Sequence, residues 1–426
     1  MWTASSFVVA SMIGTGVFTS LGFQLNDVQS IFPLIMLWIV GGVIALCGAL
    51  SYSELGAALP RSGGEYHLMS HIIHPAVGFA GGLVSATVGF SAPAVLAAMA
   101  LGKYSSAVFP TLDPFWTALF MILIFHVLHA NSLKIGILFQ RWSTAVKVGL
   151  VLIFIVVGSL IGDPQPISIL PKPGDMSLML SSGFAVSLVW VSYAYTGWNS
   201  TIYFAGEVKD PKNDLPRSLF MGTSFVMILY VLLNYIFLYT APMEEMVGQV
   251  EVGYISGIHV FGETGGVIIG LGISILLLST VSSYVFIGPR ITQTMGEDHN
   301  YLRFLSNTND RGIPVNSFIV QLVICLTFLF TSSFEQVLMY TGIALIITNS
   351  TTVATVIILR KKKPNLERPY KVWGYPFTPI SFILVNIWIL FYTFKEQPFE
   401  SMIGTLIFFT SVLLYYIGKW FDNDRS

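Results

Sequence analysis

Two short glycine-containing stretches interrupt otherwise apolar segments of the chain, and they lie about 180 residues apart. The first spans residues 10–18 around Gly14-Thr15-Gly16, and the second spans residues 193–199 around Thr196-Gly197. Glycine inside a helix costs about 1 kcal/mol relative to alanine, so both stretches favour local unwinding. Backbone groups freed inside a membrane are tolerated only where they line a cavity or bind a ligand. A pair of interrupted spans in the two halves of a membrane protein therefore predicts a transporter binding site.

The two breaks offer complementary chemistry. An unwound Gly14-Thr15-Gly16 presents bare N–H groups beside the start of a half-helix at Val17, and a helix start favours an anion such as a carboxylate. Exposed carbonyls near Thr196 would accept hydrogen bonds from an ammonium group. Together they match the two ends of a free α-amino acid. Close helix packing by small residues remains an alternative for the first break, and an interfacial aromatic belt remains one for the second.

Lys147 is a third candidate because it falls inside a predicted span. A lysine at the centre of a membrane helix costs roughly 2.5–3.5 kcal/mol. It lies about 9 Å along the axis from Arg141, so snorkelling to the interface is the alternative explanation. As a functional group it would place an ammonium where a transported cation could stand. Burial penalises the charged form of a lysine, which also makes Lys147 a candidate proton acceptor. Glu54 is predicted to be a gate or a helix-end contact.

Composition places the chain in a membrane. Of its 426 residues, 54% are hydrophobic and only 10% are charged, with a mean hydropathy of +0.73, whereas soluble proteins carry about 25% charged residues. The net charge of −1 gives no reason to expect a nucleic-acid partner. Cys47 and Cys325 lie in apolar runs, so they predict neither an extracellular disulfide nor a metal site. No cofactor and no enzymatic nucleophile or paired carboxylates are predicted.

Twelve membrane spans are predicted, because a span needs about 20 mainly apolar residues. They cover residues 2–24, 31–59, 75–101, 114–130, 139–161, 178–205, 219–239, 265–290, 315–332, 334–359, 377–394 and 401–420. The N-terminal stretch is predicted to be a span rather than a signal peptide. Its abrupt start at Met1-Trp2 suggests that a short cytosolic leader is missing. The acidic connection 241–264 is expected to be a solvated loop.

The distribution of Lys and Arg predicts the orientation, because cytoplasmic connections are enriched in both. Lys103, Lys172 and Lys395 fall on one side of the predicted membrane, and Lys147 falls within it. The other side receives seventeen basic residues, so both termini are predicted to be cytoplasmic in a cell membrane. These are Arg61, Lys134, Arg141, Lys209, Lys212, Arg217, Arg290, Arg303, Arg311, Arg360, Lys361, Lys362, Lys363, Arg368, Lys371, Lys419 and Arg425. The run Arg360–Lys363 either contacts anionic lipid or only determines topology.

Four motifs in order resemble the amino acid–polyamine–organocation superfamily of permeases, and within it the L-type amino acid transporter-like branch. They are Gly14-Thr15-Gly16-Val17-Phe18, Tyr52-Ser53-Glu54-Leu55, Pro60-Arg61-Ser62-Gly63-Gly64-Glu65-Tyr66, and Tyr195-Thr196-Gly197-Trp198-Asn199 with the following Glu207-Val208-Lys209-Asp210-Pro211. The resemblance covers nearly the whole chain. It implies an all-α integral membrane protein of twelve transmembrane helices in a leucine-transporter-type fold, as one domain over 1–426. Residues 1–161 and 178–359 would form two inverted repeats of five spans, with 377–420 as two peripheral spans.

The resemblance also implies a set of site residues. The amides of Thr15 and Gly16 would hold the substrate carboxylate, and the carbonyls of Met12, Tyr193 and Thr196 would hold the amino group. Ile13, Gly14, Ala194 and Tyr195 would complete the substrate site, with Tyr193 and Trp198 as gating aromatics. Lys147 matches a lysine that replaces a sodium ion in this branch, with Thr280 as its neighbour. Thr196 replaces a glycine and is expected to narrow the side-chain pocket.

The expected function is sodium-independent secondary transport of amino acids by alternating access, as an exchanger or a proton-coupled permease. The expected partners are a small amino acid and membrane lipid, without a disulfide-linked heavy chain. Two alternatives stay open. A polyamine or organocation carrier would need acidic residues in its cavity, and none is expected near either break. An amino acid sensor that does not transport would usually carry a sizeable cytosolic segment.

Overall fold

The computed structural model describes residues 2–61, 63–131, 133–160, 164–208 and 210–423. Several predicted features therefore lie outside the described residues, namely Met1, Ser62, the predicted span end at Ile161, Lys209 and Arg425. The side chains of Lys134 and Arg141 lie outside them as well. Across the described residues the structure is helical, without a β-strand, as expected of an all-α protein.

Seventeen α-helices follow one another along the described chain. They are α1 (Trp2–Met12), α2 (Gly16–Gln24), α3 (Ile31–Ala58), α4 (Gly64–Ile72), α5 (Pro75–Val84), α6 (Ala92–Val108), α7 (Pro114–Asn131), α8 (Leu133–Gly158), α9 (Asp175–Met179), α10 (Ser182–Ala194), α11 (Pro211–Thr240), α12 (Met243–Met246), α13 (Val252–Asp298), α14 (Val315–Thr331), α15 (Phe334–Lys362), α16 (Phe377–Glu396) and α17 (Pro398–Asn423). A π-helical segment (Ser85–Ser91) joins α5 to α6, and 3-10 segments cover Ser200–Glu207 and Asn300–Leu305.

The helix lengths are those of a multi-pass membrane protein. Nine helical stretches among the described residues are long and apolar enough to cross a bilayer. Three shorter apolar helices accompany them, at Ala145–Gly158, Ser182–Ala194 and Val315–Thr331. Many large apolar side chains on their outer faces are exposed, which suits contact with lipid.

Both predicted helix interruptions are present. The chain leaves the helix between Met12 and Gly16, so α1 and α2 are two half-helices of one span. The second helix ends at Ala194, and residues 195–199 form turns before the 3-10 segment. The predicted span 178–205 therefore contains a helix of only 13 residues.

The connection 241–264 is not a solvated loop, and that expectation was wrong. It contains α12 and the first turns of α13, with a kink at Gly262 where φ is 71°. Met246 and Val252 are fully buried, and the Gly248 N–H donates to the Gly22 carbonyl at 2.8 Å. Glu244, Glu245 and Glu263 are exposed, whereas Glu251 is half-buried. The apolar residues of the segment pack onto α2, and its helical pieces are too short for hydropathy to reveal this.

Helices from the first half of the sequence pack against helices from the second half. The first break pairs with the second through α2 with α10 and through α1 with the 3-10 segment Ser200–Glu207. Similarly, α3 packs on α11, α6 on α13 and α7 on α14. This pairing brings two breaks that are far apart in sequence to one place in the bundle.

Glu54 anchors the end of α3 through a buried ion pair. Its carboxylate is fully buried and accepts two hydrogen bonds from Arg360, at 2.8 and 2.5 Å. It also accepts the Val372 N–H at 2.7 Å, and the Arg368 guanidinium lies 3.5 Å away. The predicted role as a helix-end contact fits these bonds, which join α3 to the end of α15 and the segment after it.

Glu54→Ala is expected to lower the thermal stability of the purified protein in detergent. Removing one partner of a buried pair leaves an uncompensated charge and costs about 3–5 kcal/mol. The matched control is Glu367→Ala, which removes an exposed ion pair with Lys212 (3.2 Å) and should cost about 0–1 kcal/mol. Equal melting temperatures for the two variants would contradict the anchoring role of Glu54.

Candidate functional site

A cavity lies between the two helix breaks. Six of the residues singled out from the sequence line it: Ile13 and Gly14 at the first break, Thr196 and Trp198 at the second, and Lys147 and Thr280 on neighbouring helices. Its wall continues through Asn199, Tyr203 and Tyr284 to Glu65 on α4 and Asn349 on α15. The interrupted spans, Lys147 and Thr280 therefore share one space.

The first break is held open by hydrogen bonds from outside its own span. Tyr230 on α11 donates its hydroxyl to the Met12 carbonyl at 2.5 Å, so this predicted amine acceptor is occupied by the protein itself. On the far side, α2 begins at Gly16, and the first N–H groups of a helix have no intrahelical acceptor. Those amides and the helix dipole make the start of α2 suited to an anion.

The second break depends on Gly197. Its φ of 100° lies in the left-handed region that favours glycine, and an added Cβ would lie 2.5 Å from the Ser11 carbonyl oxygen. The Tyr193 carbonyl accepts two bonds from Thr196, from its N–H at 2.9 Å and its hydroxyl at 2.7 Å. Thr196 thus closes the turn with its own side chain while facing the cavity.

The half-helices α2 and α10 touch directly. A Cβ added at Gly16 would overlap the backbone of Ala194. Gly16 and Ala194, together with Met12, Thr15 and Tyr193, are buried in this contact region rather than lining the cavity. Small residues at this contact allow the helices to pack closely. Gly16 therefore serves close helix packing, the alternative given above for the first break, and its amide can also have a second role.

The three aromatic residues near the second break have different surroundings. Tyr195 is fully buried and donates its hydroxyl to the Trp38 carbonyl at 2.9 Å, so its side chain points away from the cavity. Trp198 lines the cavity and stands edge-on to Tyr52, with ring centroids 4.7 Å apart. Tyr193 is only 4% exposed. Of the two predicted gating aromatics, only Trp198 faces the cavity in this conformation.

Lys147 is buried on α8, with 5% of its surface exposed. Its amine lines the cavity and has neither a hydrogen bond nor an ion pair to any residue that the structure describes. Thr280 on α13 lines the same cavity, and its hydroxyl donates to the Leu276 carbonyl at 3.0 Å. The surroundings of Lys147 do not resemble those of a snorkelling residue, because its head group faces the interior of the bundle.

An aromatic cluster packs α2 against α10 and α15, and its members do not line the cavity. Phe23 on α2 stacks on Trp190 of α10 with centroids 4.5 Å apart, and on Phe334 of α15 at 5.8 Å. Tyr104 braces α2 by donating to the Phe18 carbonyl at 2.8 Å. The cavity extends instead toward α4, where Glu65 and Asn349 lie.

Glu65 is the site residue that sequence reasoning missed. It is 1% exposed, lines the cavity, and accepts hydrogen bonds from Tyr52 (2.7 Å) and Asn199 (2.9 Å). The expectation that no acidic residue lies near either break was therefore wrong. In sequence Glu65 sits in a connecting segment, and only the folding of α4 against the second break brings it inward. Its place inside one of the four motifs was the available signal.

The chain is similar to known proteins along nearly its whole length. The family model described as "Amino acid permease" matches residues 1–417. The chain is 26% identical to the large neutral amino acids transporter small subunit 2 of Mus musculus, over 99% of this chain and 81% of that protein. It is 25% identical to the b(0,+)-type amino acid transporter 1 of Homo sapiens, over 96% and 85%. It is 24% identical to the Asc-type amino acid transporter 1 of Mus musculus, over 99% and 81%.

Gly16→Ala is expected to destabilise the folded protein, because its new methyl group meets backbone atoms of α10 that cannot rotate away. Overpacking of this kind costs about 1–3 kcal/mol. Gly14→Ala is the matched control, since the nearest atom to its new Cβ is Thr280 Cγ2 at 3.8 Å, an ordinary contact. Thermal unfolding in detergent would measure both variants. A Gly16→Ala protein as stable as Gly14→Ala would contradict direct packing of α2 on α10.

Proposed function

Because this chain belongs to the amino acid permease family, we propose that it is a sodium-independent secondary transporter that carries amino acids by alternating access. The resemblance predicted from the four motifs is confirmed by the family match, and members of the family are transporters rather than enzymes. The names of these three relatives all specify amino acids as the transported molecules. The observation that carries the proposal is the single cavity shared by both helix breaks and Lys147.

The substrate site has an anionic and a cationic end. The substrate carboxylate binds the amides at the start of α2, at Thr15 and Gly16, where the helix dipole favours negative charge. The amino group binds at the second break through the Thr196 carbonyl. The Met12 carbonyl accepts one bond, from Tyr230, and keeps a second lone pair for the amino group, whereas the Tyr193 carbonyl already accepts two bonds from Thr196 and contributes only after one of them breaks.

Lys147 takes the place of a coupling cation. Its ammonium group lines the same cavity as Gly14 and Thr280 and has no counter-ion among the described residues. A sodium ion at this position would meet a like charge in surroundings of low dielectric, where repulsion is strong. Sodium independence follows from this arrangement.

We propose that the nine long apolar helices and the three shorter ones together form the twelve predicted spans. We further propose that spans 1–5 and 6–10 form inverted repeats, over 1–161 and 178–359, with 377–420 as two peripheral spans. Support comes from the pairing of α2 with α10, α3 with α11, α6 with α13 and α7 with α14. A twofold relation between repeats would produce this pairing.

The excess of basic residues on one side supports cytoplasmic termini in a cell membrane. With this orientation the cavity faces the cytoplasm, and the contact of Phe23 with Trp190 closes the outer side. Cys47 and Cys325 lie within α3 and α14, so neither is placed for a disulfide to a heavy chain. We propose that no such link forms in this protein.

A second candidate function is transport of polyamines or other organic cations. The observation that favours it is Glu65, a buried carboxyl in the cavity wall. A substrate with two or more ammonium groups would find a counter-charge there. The same uptake experiment separates the two candidates.

Uptake of radiolabelled amino acids and polyamines into proteoliposomes tests the proposal. Each compound is measured with and without sodium and with and without unlabelled compound inside the vesicles. Amino acid uptake that ignores sodium is the expected result. Uptake that requires sodium would contradict the role given to Lys147, and uptake of polyamines alone would replace the first candidate by the second.

Lys147→Ala is expected to reduce amino acid uptake by about 10- to 100-fold, because the cavity loses the charge proposed to replace a coupling cation, and one charge-assisted hydrogen bond made by that charge during the cycle is worth about 1.5–3 kcal/mol. Lys103→Ala, which removes an exposed lysine near the end of α6, is the matched control and should transport normally. Initial rates in proteoliposomes with equal protein content make the measurement. Normal transport by Lys147→Ala would show that this amine takes no part in the cycle.

Thr196→Gly is expected to raise the uptake of large amino acids relative to small ones, because it removes a side chain that faces the cavity. One methyl-sized group is worth about 1–3 kcal/mol of discrimination. Thr196→Ser, which keeps the hydroxyl bond to the Tyr193 carbonyl, should lie between the two. An unchanged ratio of large to small substrates in both variants would place the side-chain pocket elsewhere.

A further inference from the structure

Glu65 is a carboxyl group enclosed by polar neighbours from four parts of the fold. It sits at the start of α4 and is 1% exposed. Its Oε1 accepts the hydroxyl of Tyr52 on α3 at 2.7 Å and the side-chain amide of Asn199, in the second break, at 2.9 Å. Its Oε2 accepts the hydroxyl of Ser85 at 3.5 Å. Tyr203 completes the enclosure.

No basic side chain among the described residues forms a hydrogen bond or ion pair with Glu65. The ionisable groups that face it are the hydroxyls of Tyr52 and Tyr203. On α15, which packs against α4, Arg360 is paired with Glu54, and Lys362 and Lys363 bind the Ile72 carbonyl and His71. On α4 itself the other ionisable groups are Tyr66, whose hydroxyl donates to Asp298, and His67 and His71, while α5 and the π-helical segment carry none.

A buried carboxylate without a counter-charge is costly, so its charge must be neutralised by a ligand or by a proton. A hydrated cation would meet little of this carboxylate, because Glu65 is 1% exposed and Oε1 already has two donors. A proton needs no such volume. Burial raises the pKa of the Glu65 carboxyl above its usual value, while the hydrogen bonds from Tyr52, Asn199 and Ser85 oppose that rise.

The protonated acid also suits the observed hydrogen bonds. A proton on Oε2 leaves Oε1 free to keep both of its donors, Tyr52 and Asn199. Oε2–H then faces the Ser85 oxygen, which lies 3.1 Å from the Tyr203 hydroxyl. Tyr203 lines the cavity. A chain of hydroxyl groups therefore connects the buried carboxyl to the space that holds the substrate.

We propose that Glu65 is a proton-binding site of the transport cycle, which exchanges protons with the substrate cavity through Ser85 and Tyr203. A hydronium ion in the cavity gives a proton to the Tyr203 oxygen, the Tyr203 proton passes to Ser85, and the Ser85 proton passes to Glu65 Oε2. Both hydroxyl groups end as they began, a water molecule is left in the cavity, and the net change is one proton moved from hydronium to the carboxylate.

The link to transport is Asn199, which belongs to the second break and donates to Glu65. Deprotonation strengthens that bond, because a charged acceptor binds a donor more tightly than a neutral one. The charge of Glu65 thus controls how firmly the segment after Thr196-Gly197 is held against α3 and α4. This inference rests on the proposed transport function and assigns it a proton-coupled step at a residue distinct from Lys147.

An infrared pH titration of the purified protein tests proton binding without any transport. The wild type should show a carboxylic-acid C=O band that disappears as the pH rises, and Glu65→Gln should lack that band. Glu244→Gln, which removes an exposed carboxylate, is the matched control and should keep it. A band that survives in Glu65→Gln would overturn the proposal even if the protein transports amino acids.

Proteoliposome uptake then tests coupling. Accumulation driven by a pH gradient should be lost in Glu65→Gln and restored, with a shifted pH profile, in Glu65→Asp. Ser85→Ala should slow gradient-driven uptake more than counterflow. Gradient-driven uptake that persists in Glu65→Gln, or is absent from the wild type while counterflow is present, would refute coupling at Glu65. Absence of amino acid counterflow in the wild type would refute the proposed function, while the infrared result would still decide the proton site.

Discussion

A backbone group that leaves a helix inside a bilayer must find a partner, and this requirement shapes the protein around its two breaks. Tyr230 satisfies the Met12 carbonyl and Thr196 satisfies that of Tyr193. The amides at the start of α2 directly follow Gly14, which lines the cavity. The helices that pair across the two halves hold these partners in position. The backbone N–H and C=O groups that still lack a partner at the two breaks are then available to a zwitterionic substrate.

Glycine makes this arrangement possible at two points where no other residue fits. Gly16 lets α2 touch α10 at Ala194, and Gly197 adopts a left-handed φ against the Ser11 carbonyl. The breaks are therefore close enough to share one cavity. Because each contact is between backbones of different half-helices, a relative movement of those half-helices changes both at once. Such contacts suit a molecule that must alternate between two packed states.

The elements that depend on local chemistry could be predicted from sequence. The interruptions at Gly14 and Gly197, the burial of Lys147 and most span positions followed from composition and hydropathy. What failed depended on distant packing. The 241–264 connection folds onto α2 because its few apolar residues find a groove formed by other spans, and Glu65 becomes a cavity residue only when α4 meets the second break. Neither partner is near in sequence, so hydropathy and spacing could not reveal the contact, and for Glu65 the available signal was its place inside one of the four motifs.

We propose that a single amino acid binds to both breaks at once. A cryo-EM structure of the protein in lipid nanodiscs with the amino acid that it transports best would test this claim most directly. We expect density for the amino acid between the first and second breaks, with its carboxylate at the Thr15 and Gly16 amides and its amino group at the Thr196 carbonyl. Density for the amino acid at any other place, with both breaks unoccupied, would contradict it.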